Sequence, residues 1–273
     1  MLDVLSYVND YKRELKREFK KHPARLAIVT DDRNFGANQS YIRSKTKFAD
    51  EVGVACDVIV LPEDKPFIGN VNDYDGIIVQ FPFRDYDFET FRDFVTKHVP
   101  VEKDIDGLGR YATHKPCTPL GIMFYLDHLL CSGVLPIDGN VVVNVIGCGG
   151  LVGKPLVEML MNNSRYSVCV TRSTTSRWVA DNFEASADVI VCATPTPNLL
   201  LWTDPEKVYI DCGCSLVNGK LLGNVSRDCY GVDELITPVP NGVGRLTVLA
   251  LFSNLLDAKK KAIAKVEESV SRE

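Results

Sequence analysis

Apolar positions along the 273-residue chain are grouped into short runs that alternate with amphipathic stretches. Short apolar runs of mostly branched residues are typical of buried strands. Seven stretches contain such a run: RLAIVTDD (25–32), CDVIVL (56–61), DGIIVQFPF (75–83), VVVNVIG (141–147), SVCVT (167–171), DVIVCAT (188–194) and KVYIDCG (207–213). Because these runs are apolar throughout rather than alternating, they predict parallel sheets that are covered on both faces.

The stretches between the runs carry apolar residues at helical spacing. They predict helices over residues 2–20, 38–52, 86–98 and 119–131, from about residue 152, between the strands SVCVT and DVIVCAT, and from about residue 246 onward. Gly53 suits a helix C-cap and Pro119 suits a first turn. Strands that alternate with helices predict an α/β fold of two α/β domains that divide near Pro119. The second would be a Rossmann-like parallel sheet, and the last helix could pack on either domain.

A cluster of glycines follows the strand VVVNVIG, in the pattern Gly147-x-Gly149-x-x-x-Gly153. Such a loop allows a pyrophosphate to approach the amides at a helix start, although the dinucleotide fingerprint is one residue shorter. The alternative is a close-packed turn without a ligand. The next strand ends in Thr171-Arg172-Ser173, with no acidic residue to hold a ribose 2′-hydroxyl. Arg172 and Ser173 instead suit a 2′-phosphate, which favours NADP over NAD, unless Arg172 is only a solvated surface residue.

Composition and charge exclude several classes of protein. The net charge of −5, without a basic stripe, argues against nucleic acid and against an anionic membrane as partners. The charged amino terminus is not a signal peptide, and no stretch is long and apolar enough to predict a membrane span. Nine scattered cysteines without C-x-x-C spacing predict neither a disulfide framework nor a zinc site, and the four histidines add no metal site. We therefore expect a reduced, cytoplasmic protein without a bound metal.

Five further motifs stand in a fixed order around the glycine loop: SYIRSK (40–45), VQFPF (79–83), KDIDGL (103–108), KPCTPLG (115–121) and ITPVPNGVGRLT (236–247). Their order and spacing resemble the bifunctional methylenetetrahydrofolate dehydrogenase/cyclohydrolase family. That family has Y-x-x-x-K, V-Q-L-P-L, K-D-V-D-G, P-C-T-P-x-G, G-R-S-x-x-V-G-K-P and T-P-V-P-G-G-V-G-P-x-T. The resemblance covers nearly the whole chain and implies a folate-binding domain over residues 1–118, completed by a helix over 247–273. Residues 119–246 would form the dinucleotide-binding domain, with a cleft between the two.

The resemblance also implies site residues on the folate side. Tyr41 and Lys45 are four residues apart on a predicted helix, so they share one face. A tyrosine ring can stack on a flat heterocycle, and a lysine withdrawn from water can shuttle protons near neutral pH. The family uses this lysine as its central catalytic group, assisted by a glutamine that corresponds to Gln80, and Tyr41 is expected to take part in both catalysis and substrate binding. Asp106 corresponds to the aspartate that binds the pterin edge, where one carboxylate accepts two N–H bonds. Any of these residues alone is more often a surface, capping or turn residue; together they favour an active site.

On the cofactor side, the resemblance assigns seven residues to the dinucleotide and two more to substrate. The first group comprises Gly147, Cys148, Gly149, Gly153, Arg172, Ser173 and Thr194, and the second comprises Pro240 and Gly242. The implied reaction is NAD(P)-dependent oxidation of 5,10-methylenetetrahydrofolate, followed by hydrolysis of the methenyl product to 10-formyltetrahydrofolate. The expected cofactor is NADP, with NAD as the alternative, and the expected assembly is a homodimer.

The chain departs from the family pattern mainly around the cofactor. G-R-S becomes Gly147-Cys148-Gly149, A-x-G-x-P becomes Ala193-Thr194-Pro195-Thr196-Pro197, and G-D-V becomes Gly223-Asn224-Val225. Arg245 replaces a proline. Besides an active bifunctional enzyme, these changes allow an enzyme that keeps one activity, such as the cyclohydrolase, or a non-catalytic folate- or nucleotide-binding relative. A shikimate-dehydrogenase-like enzyme shares the two-domain plan but does not explain P-C-T-P-L-G or T-P-V-P.

Overall fold

The computed structural model describes residues 2–62, 69–231 and 235–270. Seven α-helices are present in these ranges: α1 (Val4–Lys21), α2 (Phe35–Val52), α3 (Phe88–His98), α4 (Cys117–Cys131), α5 (Gly153–Met161), α6 (Arg177–Ser186) and α7 (Val243–Val270). The described strands are β1 (Arg25–Asp31), β2 (Ala55–Leu61), β3 (Gly76–Val79), β4 (Val141–Ile146), β5 (Tyr166–Thr171), β6 (Val189–Cys192), β7 (Val208–Asp211), β8 (Ser215–Val217), β9 (Lys220–Leu222) and β10 (Leu235–Ile236).

The chain divides into two compact units. We call residues 10–117 and 248–273 the Lys45 unit, and residues 1–9 and 118–247 the glycine-loop unit. Both divisions of the chain near its ends fall inside a helix, the first in α1 and the second in α7. In this division residues 1–9 cluster with residues 118–247, whereas the resemblance implies one domain over residues 1–118. The functional roles of the two domains, and the cleft expected between them, stay predictions.

The Lys45 unit contains a parallel sheet in the order β2-β1-β3. One face of the sheet packs on α3 through a cluster that includes Val29, Val79, Phe91 and Phe94. Phe252 of α7 lies in a second aromatic cluster, with ring centroids 6.4 Å from Phe19 and 4.8 Å from Phe48. Burying side chains of this size contributes roughly 1.5–3 kcal/mol each to folding.

The glycine-loop unit contains a parallel sheet in the order β10-β7-β6-β4-β5. Its buried residues include Ile190, Cys192, Tyr209 and Ile236. A short antiparallel hairpin of β8 and β9 follows β7. In both units the first strand, β1 or β4, lies between the next two strands in chain order, so these two strands are added on opposite sides of it. Such a reversal of strand order is a switch point, and α/β proteins bind ligands in the crevice at the carboxyl ends of the strands beside it.

The predicted α/β class with parallel sheets is confirmed, and each predicted strand and helix has a counterpart. Gly53 ends α2 in the left-handed conformation, with φ of 81°. The last helix begins at Val243, before the predicted start, and its predicted extent beyond residue 270 lies outside the described residues. Coverage of every strand on both faces was wrong for β2, an edge strand whose Val58 and Val60 are 39% and 40% exposed.

Among the helices that the structure describes, none combines the length and apolar character needed to cross a membrane.

Candidate functional site

Lys45 and Gln80 meet at the switch point of the Lys45 unit. Lys45 lies in the middle of α2, the helix that follows β1, and Gln80 is the first residue after β3. Their side chains are buried, and the Lys45 Nζ donates a hydrogen bond to the Gln80 Oε1 at 2.8 Å. Gln80 is itself oriented, because its Nε2 donates to the carbonyl of Phe81 at 2.8 Å. The lysine amine is therefore held by a neutral amide in a site largely withdrawn from water.

Asn38 fixes the backbone around this pair, and the sequence pattern did not identify it. The residue lies on α2 one turn before Tyr41 and is fully buried. Its Nδ2 donates to the Thr30 Oγ1 at 3.1 Å and to the carbonyl of Pro82 at 2.8 Å. These bonds connect α2 to the end of β1 and to the segment after β3. The only signal in the sequence was a polar residue at helical spacing from Tyr41 and Lys45.

Tyr41 lies four residues before Lys45 on α2, and 46% of its surface is exposed. At this separation the two side chains share one face of the helix. Its partly exposed ring can therefore offer a flat face on the side of α2 that also carries the buried amine, as stacking on a heterocycle needs.

Asp106 lies in a tightly folded loop between α3 and α4. The neighbouring Asp104 is buried, and its carboxylate accepts hydrogen bonds from the backbone N–H of Gly107 at 3.1 Å and of Gly109 at 2.7 Å. Burial raises the pKa of Asp104 to about 6, although these two bonds oppose the shift. Gly107 has φ of 69°, and a Cβ there would lie 2.7 Å from the His114 carbonyl oxygen, so only glycine fits.

Cys117 and Asn254 hold the other side of this loop. The Cys117 thiol donates to the carbonyl of Ile105 at 3.1 Å, and the Asn254 Nδ2 of α7 donates to the same oxygen at 2.9 Å. Burial raises the pKa of Cys117 well above its usual range, with Asp106 adding to the shift and Lys45 opposing it. The thiol therefore stays protonated. Because the charges of Asp106 and Lys45 both act on Cys117, these three side chains lie in one region of the Lys45 unit.

The glycine loop lies at the switch point of the other unit, and its glycines fall into two groups. Gly147 has φ of 93°, and a Cβ there would lie 2.5 Å from the carbonyl oxygen of Ala193. A Cβ at Gly153 would collide with the Gly147 carbonyl. Gly149 and Gly150, in contrast, are exposed, and a Cβ at either position would meet no atom within 4 Å. Packing explains the first two glycines but not the second two, which leave the backbone open to a ligand.

Arg172 folds back toward this loop from the end of β5. Its Nε donates to the Cys148 sulfur at 3.0 Å, and its backbone N–H donates to the Thr175 Oγ1 at 2.9 Å. Cys148 is buried, whereas Arg172 and the adjacent Ser173 are exposed. A guanidinium is thus positioned at the carboxyl ends of β4 and β5, beside the start of α5. This is the electrostatic setting that a phosphate group requires.

Thr194, Asn224 and Asp211 complete the carboxyl edge of the sheet. Thr194 follows β6 and is hydrogen-bonded to the fully buried side chain of Asn224. Asp211 ends β7, and its carboxylate accepts hydrogen bonds from the backbone N–H groups of Gly213, Asn224 and Val225 at 2.8, 2.8 and 2.9 Å. Burial raises the pKa of Asp211, and these three bonds oppose the shift. The sequence pattern did not reveal Asp211, because its partners lie up to 14 residues away.

Pro240 and Gly242 form a turn directly before α7. The Val239–Pro240 bond is cis, Asn241 has φ of 82°, and a Cβ on Gly242 would collide with the carbonyl of Pro238. Arg245, one turn into the helix, donates from Nη2 to the Asn241 Oδ1 at 3.0 Å. The proposed role of Pro240 and Gly242 at the substrate stays a prediction.

Most of the predicted residues thus form two groups, one in each unit, whereas Pro240 and Gly242 lie in the turn before α7. The Lys45 unit brings together Lys45, Gln80 and Asp106, with Tyr41 on the same helix face as the lysine. The glycine-loop unit places Gly147, Cys148, Gly149, Gly153, Arg172, Ser173 and Thr194 at the carboxyl ends of β4, β5 and β6. Across residues 2–62, 69–231 and 235–270, histidine, cysteine and carboxylate side chains form no group of three or more that could hold a metal ion.

The chain is similar to a known protein family and to individual members of it. Residues 116–263 match the family described as tetrahydrofolate dehydrogenase/cyclohydrolase, NAD(P)-binding domain. The chain is 36% identical over 286 residues to the bifunctional protein FolD of Exiguobacterium sibiricum, with 95% of this chain and 99% of that protein covered.

Two solved structures are also similar over nearly the whole chain. The bifunctional enzyme FolD, a methylenetetrahydrofolate dehydrogenase/cyclohydrolase from Campylobacter jejuni, has a TM-score of 0.76 and 26% identity, with 95% of this chain and 98% of that chain covered. The N5,N10-methylenetetrahydrofolate dehydrogenase-cyclohydrolase of Trypanosoma brucei, solved with NADP and an inhibitor, has a TM-score of 0.76 and 25% identity, with 96% and 98% covered. The similarity therefore extends over both units and is not limited to the glycine loop.

Proposed function

Because the chain belongs to the tetrahydrofolate dehydrogenase/cyclohydrolase family, we propose that it is a bifunctional enzyme of one-carbon metabolism. It oxidises 5,10-methylenetetrahydrofolate with NADP, and it then hydrolyses the 5,10-methenyl product to 10-formyltetrahydrofolate. In the first step a hydride leaves the methylene bridge, which yields the methenyl cation and reduced cofactor. In the second step water adds to that cation, the ring opens, and one proton is released.

The observation that carries this proposal is the buried hydrogen bond between Lys45 and Gln80. Hydrolysis of a cationic carbon requires a group that accepts a proton from the attacking water and returns it to the departing nitrogen. An amine that is buried away from water and held by a neutral amide can perform both transfers. Gln80 keeps the amine in one orientation, so that the transfer needs little reorganisation.

Tyr41 and Asp106 position the folate. The exposed ring of Tyr41 stacks on the substrate beside Lys45, and the Asp106 carboxylate accepts hydrogen bonds from the amino group and the adjacent ring N–H of the pterin. Two charge-assisted bonds from one carboxylate fix both position and orientation. The tight turn at Gly107 and the bonds of Asp104 hold this carboxylate in place.

The glycine-loop unit holds NADP, which when bound supplies the hydride acceptor. Gly149 and Gly150 leave the backbone amides at the start of α5 open to the pyrophosphate, while Gly147 and Gly153 permit the close packing beneath it. Arg172 receives the 2′-phosphate together with the adjacent Ser173, and the hydrogen bond from its Nε to the Cys148 sulfur holds the guanidinium in position. The guanidinium therefore stands in for the cation that the G-R-S loop would have supplied. Thr194 borders the site from the end of β6.

A homodimer of this enzyme would form along β5. This strand pairs only with β4 among the described strands, so its other edge has free backbone groups that can pair with a second copy. The neighbouring helix α6 contains no buried residue, and its Trp178 is 75% exposed. Sedimentation of the wild-type protein and of a Trp178→Glu variant tests this assembly, since the variant is expected to be monomeric.

The cysteines support the proposal that the protein is cytoplasmic. No disulfide joins any of the nine cysteines, and five of them are partly or fully exposed. Exposed reduced thiols persist in a reducing compartment and pair or oxidise elsewhere.

The test is a spectroscopic assay of the purified protein with 5,10-methylenetetrahydrofolate, with NADP and NAD in separate cuvettes. We expect reduced nicotinamide with NADP and a much smaller rate with NAD. Methenyltetrahydrofolate supplied directly should be hydrolysed faster than in buffer. Hydrolysis without any cofactor reduction would reduce the proposal to a cyclohydrolase, and the absence of both reactions would leave only a binding protein.

A further inference from the structure

The Asn224 side chain has an unusually complete set of partners for a single amide. Its Nδ2 donates to the carbonyl of Thr194 at 3.0 Å, to the Thr194 Oγ1 at 2.9 Å and to the carbonyl of Thr196 at 2.6 Å. Its Oδ1 accepts from the Thr194 backbone N–H at 3.3 Å. The residue is fully buried, and all four contacts lead to residues 194–196. Asn224 therefore determines the conformation of the segment that follows β6.

The backbone of Asn224 is fixed independently of its side chain. Its N–H and that of Val225 donate to the two carboxylate oxygens of Asp211, at 2.8 and 2.9 Å. The carbonyl of Asn224 accepts from the backbone N–H of Leu200 at 2.9 Å. Because its main chain is held on both sides and its side chain is fully buried, the amide stays directed at residues 194–196.

The segment opposite presents two carbonyl oxygens and a hydroxyl to the amide donor. Its central residue, Pro195, has no backbone N–H that could donate to an acceptor at position 224. A carboxylate at position 224 would place an anionic oxygen against both carbonyls, at separations close to those of the present hydrogen bonds. Buried acceptors that face each other without a donor are costly. With Pro195 in place, an amide fits at position 224 and a carboxylate does not.

This segment forms one wall of the crevice in which the dinucleotide is proposed to bind. A Cβ on Gly147 would lie 2.5 Å from the Ala193 carbonyl and 2.8 Å from the Thr194 Cγ2, so the glycine loop and residues 193–194 are in direct contact. A change in the path of residues 194–196 would therefore alter the space beside the glycine loop.

We propose that Asn224 is a positioning residue for the dinucleotide site, and that Asn224 and Pro195 form a matched pair. The family pattern has aspartate and glycine at these two positions, and a glycine supplies the N–H that an aspartate can accept. The two departures from that pattern are thus one coupled change that preserves the site. The inference rests on the proposed function, because it assigns the segment to the dinucleotide.

The experiment compares direct NADP titrations of five proteins: wild type, Asn224→Asp, Pro195→Gly, the double variant with both changes, and Asn198→Asp. Asn198 is the matched control, because it undergoes the same chemical change on the same loop but is exposed. We expect Asn224→Asp to raise the Kd for NADP at least about tenfold, since buried acceptors lose their donors. The double variant should return to within about threefold of the wild type, and Asn198→Asp should match the wild type.

Two further measurements separate positioning from folding. Hydrolysis of methenyltetrahydrofolate, which needs no dinucleotide, should be unchanged in all five proteins, whereas the KM for NADP should follow the Kd. If Asn224→Asp does not fold, Asn224→Ser removes the amide donors without adding a charge, and the same loss of NADP affinity is expected.

An unchanged Kd in Asn224→Asp, or a double variant no better than that single variant, would overturn the inference while leaving the proposed function intact. A wild-type protein that binds neither NADP nor NAD would instead overturn the dehydrogenase half of the proposed function, and the inference with it.

Discussion

The Lys45 amine lies 2.8 Å from the side-chain oxygen of Gln80, and both side chains are buried at the carboxyl end of the sheet in their unit. A buried amine would normally be paired with a carboxylate, which would hold its proton firmly. Here the partner is a neutral amide, which orients the amine without supplying an opposite charge. The pair is therefore suited to proton transfer. A lysine with only a structural role would instead be paired with a carboxylate.

Lys45→Ala is expected to reduce the rate of methenyltetrahydrofolate hydrolysis by about 10²–10⁴-fold, the usual contribution of a general acid–base group. The measurement is the decay of methenyl absorbance, corrected for hydrolysis in buffer. Lys47→Ala is the matched control, since Lys47 lies on the same helix but is exposed. A Lys45→Ala protein with the control's rate and an unchanged unfolding temperature would remove Lys45 from the mechanism.

Asp106→Ala is expected to weaken the binding of folate by about 10- to 150-fold and to leave NADP affinity unchanged. The reason is the loss of charge-assisted hydrogen bonds, which contribute about 1.5–3 kcal/mol. Asp106→Asn keeps the size of the side chain but removes its charge, so it should lose nearly as much affinity. Titrations with folate and with NADP provide the comparison. Equal losses for both ligands would indicate that Asp106 supports the fold rather than the substrate.

Parts of the fold and of the candidate site could be predicted from the sequence, because they depend on local patterns. The apolar runs predicted the seven longer strands, and the four-residue spacing of Tyr41 and Lys45 placed them on one helix face. The order of strands in the two sheets could not be derived in this way. It follows from which apolar surfaces pack together after the chain has collapsed, and the pattern of each strand alone does not encode that choice.

Contacts between residues that are far apart along the chain could also not be predicted from the sequence. Asn254 of α7 supports the Asp106 loop through the carbonyl of Ile105, 149 positions earlier. Asn224 reaches residues 194–196, about 30 positions earlier. An asparagine within an apolar helix or in a loop has no local pattern that reveals its partner. The strands β8, β9 and β10 were missed because two or three residues are too few to show a period.

Asp104 gives a prediction about stability and pH. Its pKa in the folded protein is raised to about 6 from 3.8, so the folded state binds its proton more tightly than the unfolded state does. The resulting stabilisation is complete below about pH 4 and is lost as the pH rises through 6, on the order of 3 kcal/mol. Asp104→Asn cannot ionise and should lack this loss.

Urea unfolding of the wild type and of Asp104→Asn between pH 4 and 8 measures the difference. The free energy of unfolding of the wild type should fall relative to the variant across pH 4–6 and then run parallel to it. Parallel curves over the whole range would mean that Asp104 titrates as an ordinary carboxyl.

Arg172→Ala is expected to raise the Kd for NADP by about 10- to 150-fold while changing the Kd for NAD less than about threefold, because only NADP carries the 2′-phosphate. Arg177→Ala is the matched control, since its side chain is 94% exposed and lies five residues further along. Cys148→Ala should have a smaller effect in the same direction, because it removes the sulfur that accepts a bond from the Arg172 Nε. If both cofactors weaken equally, Arg172 does not select the 2′-phosphate.

Gly147→Ala and Gly149→Ala separate packing from ligand binding within the same loop. Gly147 has a positive φ and lies against the Ala193 carbonyl, so alanine there should cost about 1–3 kcal/mol in the free energy of unfolding. Gly149 has open space around it, and alanine should change stability by less than about 0.5 kcal/mol.

If the loop cradles a pyrophosphate, however, Gly149→Ala should raise the Kd for NADP about tenfold, because the added methyl group occupies the path of approach. Chemical denaturation and NADP titration of both variants give the two quantities separately. A Gly149→Ala protein with wild-type stability and wild-type NADP affinity would show that this glycine is needed neither for packing nor for the cofactor, and the phosphate would then have to approach from another side of the loop.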